Sequence, residues 1–64
     1  MLYYVLETQT GMTYTGKAGT DWVSLDRDEA WTFASAEYAT QKAALFNERQ
    51  RLHGLTFRVV EMEV

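Results

Sequence analysis

The stretch from Ser35 to Gly54 restricts the possible folds more than any other part of the chain. Ser35 offers a side-chain oxygen to the free amides of a helix start, and Gly54 offers the left-handed residue on which helices commonly end. The pattern predicts a helix over residues 36–52. Steps of 100° place Ala36, Tyr38, Ala39, Ala43, Leu45, Phe46 and Leu52 on one side. Glu37, Thr40, Gln41, Asn47, Glu48 and Arg51 fall on the other. Lys42 and Arg49 lie within the apolar side, where their stems can pack while the charged ends reach water. Alanines at 36, 39 and 43 make a shallow stripe, so a sheet can approach the helix backbone closely, and Phe46 fills the wider end.

Strand chemistry lies on both sides of this helix. Residues 1–8 form a β-branched and aromatic run ended by Gln9-Thr10-Gly11, and residues 12–15 alternate with the same period as a hairpin partner. Residues 16–20 read as a loop, and Trp22 and Val23 as the start of a third, shorter strand or a packed extended segment. Ser24 precedes Asp26, Asp28 and Glu29, which suits a single helical turn capped by Ser24. Residues 55–64 return to strand chemistry, with a parity change between Phe57/Val59 and Val60/Met62/Val64 that predicts a bulge or a strand whose end leaves the core. The expected fold is α+β: one domain over residues 1–64, with a small three- to four-stranded, mainly antiparallel sheet and one long α-helix packed on one face.

With 64 residues, the chain can bury only about 60% of the surface its unfolded form exposes. Cysteine is absent and His53 is the single histidine, so packing and association must supply the stability that disulfides or metals often give small domains. Two tryptophans, four tyrosines and three phenylalanines make a dense core feasible. The net charge of −3 and the scattered bases disfavour direct binding to a phosphate backbone. The run from Leu2 to Leu6 is too short to span a bilayer and lacks the flanks of a signal peptide. A cytoplasmic protein with no membrane contact is the expectation, and the absence of cysteine agrees with it.

One helix cannot cover two faces of a sheet. Residues 2–6 and 57–60 are apolar or aromatic on both parities, so either Tyr3 and Val5 or Leu2, Tyr4 and Leu6 face away from the helix. The uncovered set would mark a partner site or a homodimer contact. Alternatively, the long connection over residues 12–31 folds back across that face and buries it with Trp22, Leu25 and Trp31.

No arrangement of reactive residues points to catalysis. Asp21, Asp26, Asp28 and Glu29 are the densest carboxylates, but they lack the ligand order of a calcium loop, and a solvated helix start accounts for them. Ser24 and Ser35 are placed as caps without an activating base, and His53 suits the carbonyl end of the helix. Glu7, Glu61 and Glu63 read as solvated strand-end charges, and Gly16-Lys17-Ala18-Gly19-Thr20 lacks phosphate-loop spacing. The expectation is a non-enzyme without metal or cofactor. The same acids offer another role: Glu7, Glu61 and Glu63 at one sheet end, with the 21–29 group on a loop, would form a negative surface able to meet a basic cleft and imitate phosphates. The candidate partner-binding residues are therefore Tyr3, Val5, Asp21, Asp26, Asp28, Glu29, Glu61 and Glu63.

Tyr3-Tyr4-Val5-Leu6, the turn at Gly11, Trp22-Val23, Asp28-Glu29-Ala30-Trp31-Thr32-Phe33 and Ser35-Ala36-Glu37-Tyr38-Ala39 occur in an order that resembles small phage and prophage proteins of uncharacterised function. The likeness spans nearly the whole chain and consists of packing positions, so it carries over no catalytic residue. The 16–21 loop is longer and the first strand richer in aromatics than in those proteins. What the resemblance implies is a host bacterial cytoplasm, and a host protein or complex as partner, with anti-CRISPR inhibitors of bacterial defence among the concrete forms. The alternatives are a self-associating structural component and a small metal-dependent enzyme.

Overall fold

The computed structural model of the chain describes residues 1–62. Four strands form one antiparallel sheet: β1 (Leu2–Glu7), β2 (Thr13–Tyr14), β3 (Val23–Ser24) and β4 (Phe57–Met62), in the order β3-β2-β1-β4. Among the described residues one α-helix, α1 (Ala36–Arg49), lies on one face, so the chain is α+β as its residue pattern leads one to expect. At 14 residues α1 is shorter than expected, because the chain tightens after Arg49 into a 3-10 turn over Arg51–His53 before Gly54 closes it at φ 71°. Ser35 caps the other end by accepting from the Tyr38 amide at 3.3 Å.

β1 is the hub. Its even residues pair with β4 in the register Leu2↔Met62, Tyr4↔Val60 and Leu6↔Arg58, while Leu6 also stands opposite Thr13 of β2. Tyr3 exchanges two backbone hydrogen bonds with Phe33, at 2.9 and 2.8 Å, and the Trp31 amide donates to the Tyr14 carbonyl at 2.7 Å. Residues 31–33 thus fill the gap that opens where β2 diverges from β1. β4 is continuous over its described length and pairs with β1 without interruption. No bulge accompanies the parity change, because β4 carries apolar residues for both faces rather than changing register.

Alternation decides which face meets the helix. Val5 and Phe57 join Phe33, Ala39, Ala43 and Phe46 in the core, with Tyr3, Tyr14, Trp22, Val23, Leu55 and Val59 packed against it. Tyr14, Trp22, Phe46 and Phe57 form tilted ring contacts with centroids 4.9 to 5.8 Å apart, the separation at which aromatic rings attract beyond simple burial. Lys42 lies over the Tyr14 and Phe46 rings, its ammonium 5.6 and 5.8 Å from their centroids. The contact stripe of the helix is narrower than a 100° wheel suggests. Ala39, Ala43 and Phe46 are buried, whereas Ala36, Tyr38, Leu45 and Leu52 are exposed, Tyr38 at 68%.

Candidate functional site

Each expected site residue now has a place. Val5 is fully enclosed, at 0% exposure, because its side of β1 is the side α1 covers; it cannot contact a partner. Tyr3 shares that side and is half-buried against Phe33. The outward set is therefore Leu2, Tyr4 and Leu6, yet Tyr4 and Leu6 are buried as well. The cover on Tyr4 comes from Arg27 in the connection after β3, not from Trp22 or Leu25. Arg27 sits over the Tyr4 ring at 5.2 Å from its centroid and donates to the Tyr4 hydroxyl. Trp22 instead enters the helix-side core, and Leu25 remains exposed at 66%.

The acids separate into several settings. Asp26, Asp28 and Glu29 stand on one short 3-10 turn, Arg27–Glu29, whose N-cap is Asp26: its carboxylate accepts from the Asp28 amide at 2.9 Å. Ser24 does not cap this turn; its hydroxyl accepts from the Asp26 amide at 3.1 Å, one step earlier. Asp21 is exposed on the preceding 3-10 turn, Gly19–Trp22, and uses its carbonyl to accept from the buried Thr15 hydroxyl at 2.6 Å. Glu61 is exposed near the end of β4, where Tyr4, Arg27, Glu61 and Met62 line a shallow cleft of about 300 Å³. Glu63 lies outside the described residues.

Glu7 is at the opposite end of β1 from Glu61, so these two do not form one acidic edge. It is also far from solvated. At 2% exposure, Glu7 accepts from the amides of Gln9, Thr10 and Thr56 and from the Thr10 hydroxyl, all at 2.8 to 3.0 Å. Burial pushes its carboxyl up, but the bonds from Thr10, Thr56 and Gln9 outweigh that and hold it below its ordinary 4.5. Glu7 is the knot of the β1–β2 turn.

One exposed aromatic with a fixed seat was not among the expected site residues. Trp31 is 52% exposed, yet its backbone is bonded to Tyr14 and its ring lies on Gly16 so closely that a β-carbon there would sit 2.4 Å from ring atom Cε3. Gly16, at φ 79°, thus provides a flat seat that no side chain could leave free. Beside it, Glu29 pairs with Lys17 at 3.8 Å. Residues 25–31 consequently display Leu25, three carboxylates and a Trp whose backbone and one ring face are fixed. The clue in the sequence was the pairing of a loop glycine with a later tryptophan, which no periodicity reveals. A second shallow groove, of about 160 Å³, is bounded by Tyr38, Gln41, Lys42 and Leu45 on the outer flank of α1.

Among the described residues, no group of three or more His, Asp or Glu side chains is placed to hold a metal ion, and no helix is long and apolar enough to cross a membrane. The fold and this surface define the chain as a small α+β protein. Compared with protein families, curated proteins and solved structures, it matches none of them.

Proposed function

We propose that the chain is a non-enzymatic binding module whose contact surface is the segment over residues 25–31, and that its partner is a protein presenting a basic patch. The observation that carries this reading is Trp31, half in solvent but seated on Gly16 and tied by its amide to Tyr14. A large aromatic held in one place loses little freedom on binding, which is why tryptophans are enriched among the residues that dominate interface energies. Asp26, Asp28 and Glu29, on the turn just before it, supply the charge that steers a basic surface and fixes its orientation. The resemblance to small phage and prophage proteins supplies the setting: a host protein or complex in the bacterial cytoplasm, with inhibition of a defence complex as the concrete form.

The test is capture from bacterial lysate on immobilised protein, followed by kinetics with the captured species. Trp31→Ala should weaken binding at least about tenfold. The Asp28→Lys/Glu29→Lys double variant, which leaves the Asp26 cap intact, should slow association at low salt and lose that penalty as salt rises. A captured protein whose binding ignores both variants would sink the assignment of this surface, provided far-UV circular dichroism shows both variants folded.

A further inference from the structure

We infer that Glu7 works as a two-armed latch: its carboxylate ties the turn over residues 8–11 to the loop over residues 54–56, so that the two open and close as one unit ahead of the rest of the fold. This uses different residues from the 25–31 surface and stands apart from the reading given for it.

The two arms are the two carboxylate oxygens. Oε1 of Glu7 accepts from the Gln9 and Thr10 amides and the Thr10 hydroxyl, and Oε2 accepts from the Thr56 amide, 49 positions along the chain, at 2.9 Å. Further bonds cross between the same two segments. The Thr56 carbonyl accepts from the amide and the hydroxyl of Thr8, at 2.8 and 3.1 Å, and the Gly54 carbonyl accepts from Nε2 of Gln9 at 2.8 Å. Thr8, Gln9, Thr10, Gly54 and Thr56 are all exposed, so the contact is made by polar groups at the surface around one enclosed side chain, Glu7. Leu55, partly buried, adds the loop's apolar contact with the core.

A buried carboxylate is tolerated while its oxygens are bonded, and an oxygen left bare costs more than one bond is worth. Were the 54–56 loop to lift alone, Oε2 would lose its donor; were the turn to lift alone, Oε1 would lose three. Each arm makes the other's departure costly, which is how a shared group couples two segments.

The boundary of the unit falls between Thr56 and Phe57. Phe57 is buried in the core, and its backbone is tied to α1: its amide donates to Oδ1 of Asn47 at 2.6 Å, and its carbonyl accepts from Nδ2 of the same side chain at 3.0 Å. Tyr3 and Phe33, which exchange backbone hydrogen bonds beside the same core, also lie outside it. Segments held by exposed polar bonds open at lower free energy than a packed core.

Native-state amide hydrogen exchange in sub-denaturing urea tests this on the intact chain. The Thr10, Gly11 and Thr56 amides should share one opening free energy and one urea slope, and exchange faster than Tyr3, Phe33 and Phe57. Thr10→Val separates coupling from coincidence. The Thr10 hydroxyl donates to Oε1 of Glu7 at 3.0 Å and accepts from the Met12 amide at 3.2 Å, both within its own turn. Its loss should speed exchange at Gly11 and at Thr56 by the same factor, about threefold or more, whereas an independent loop would leave Thr56 unmoved. If the variant does not fold, the shared slope in the wild-type chain decides alone. Thr56 unchanged by Thr10→Val, different slopes for the two segments, or one slope common to the core amides as well would each overturn the latch.

Discussion

At the scale of single residues, Glu7 shows how far environment overrides type. A glutamate at a strand end ordinarily points into water, and nothing in Leu6-Glu7-Thr8 suggests otherwise. What holds Glu7 inside is the turn that follows it: Thr10 and Gln9 fold back to donate, and Thr56 arrives from β4 to reach the second oxygen. Because its folded pKa is lowered, the charged form belongs to the fold. Its stabilisation is therefore fully present above the ordinary value of 4.5 and is lost as pH falls through the lower folded value. Glu7→Gln would turn an amide donor toward either Thr56 or the Thr10 group and should cost about 1–3 kcal/mol near neutral pH. Thermal unfolding of both proteins across pH checks this: the gap should narrow as pH drops below about 4. A gap that stays constant would mean the charge is not what the turn binds.

The helix is where expectation and structure diverge at the scale of elements. A wheel assigns Tyr38 and Leu45 to the apolar side, but both sit one position before the true contact stripe of Ala39, Ala43 and Phe46. With Lys42 they form a parallel outer flank. Phe46 is the one large side chain of that stripe, buried against the Tyr14, Trp22 and Phe57 rings. Phe46→Ala should therefore cost about 3–5 kcal/mol, much of the roughly 3–10 kcal/mol total available to a chain of this length. Tyr38→Ala and Leu45→Ala should each stay within about 0.5 kcal/mol. Chemical denaturation of the three variants separates these cases, and equal losses would mean that the wheel, rather than the narrow stripe, describes the packing.

At the scale of the whole molecule, the connection over residues 15–34 does three jobs at once. It sends Trp22 into the core, lays Arg27 over Tyr4 on the far face, and returns residues 31–33 to fill the sheet beside β1. The two tryptophans consequently report different environments. Trp31→Phe should leave the blue-shifted, acrylamide-resistant emission of Trp22, and Trp22→Phe should leave a redder, readily quenched signal from Trp31. Equal quenching in the two variants would contradict this path of the chain.

The α+β class, the caps at Ser35 and Gly54, the hairpin turning at Gly11 and the strand character of both termini were legible in residue order. Each depends on neighbours within a few positions, where periodicity, caps and turn glycines act directly. The placement of Trp31 on Gly16, of Arg27 on Tyr4, of Asn47 on Phe57 and of Thr56 on Glu7 was not. Three of these four pairs lie 15 or more residues apart along the chain, and even the Asn47 contact crosses from a helix to a strand. Their partners meet only when the sheet closes, because local preference sets which elements form while distant contacts decide which polar groups are buried and which aromatic stays in water.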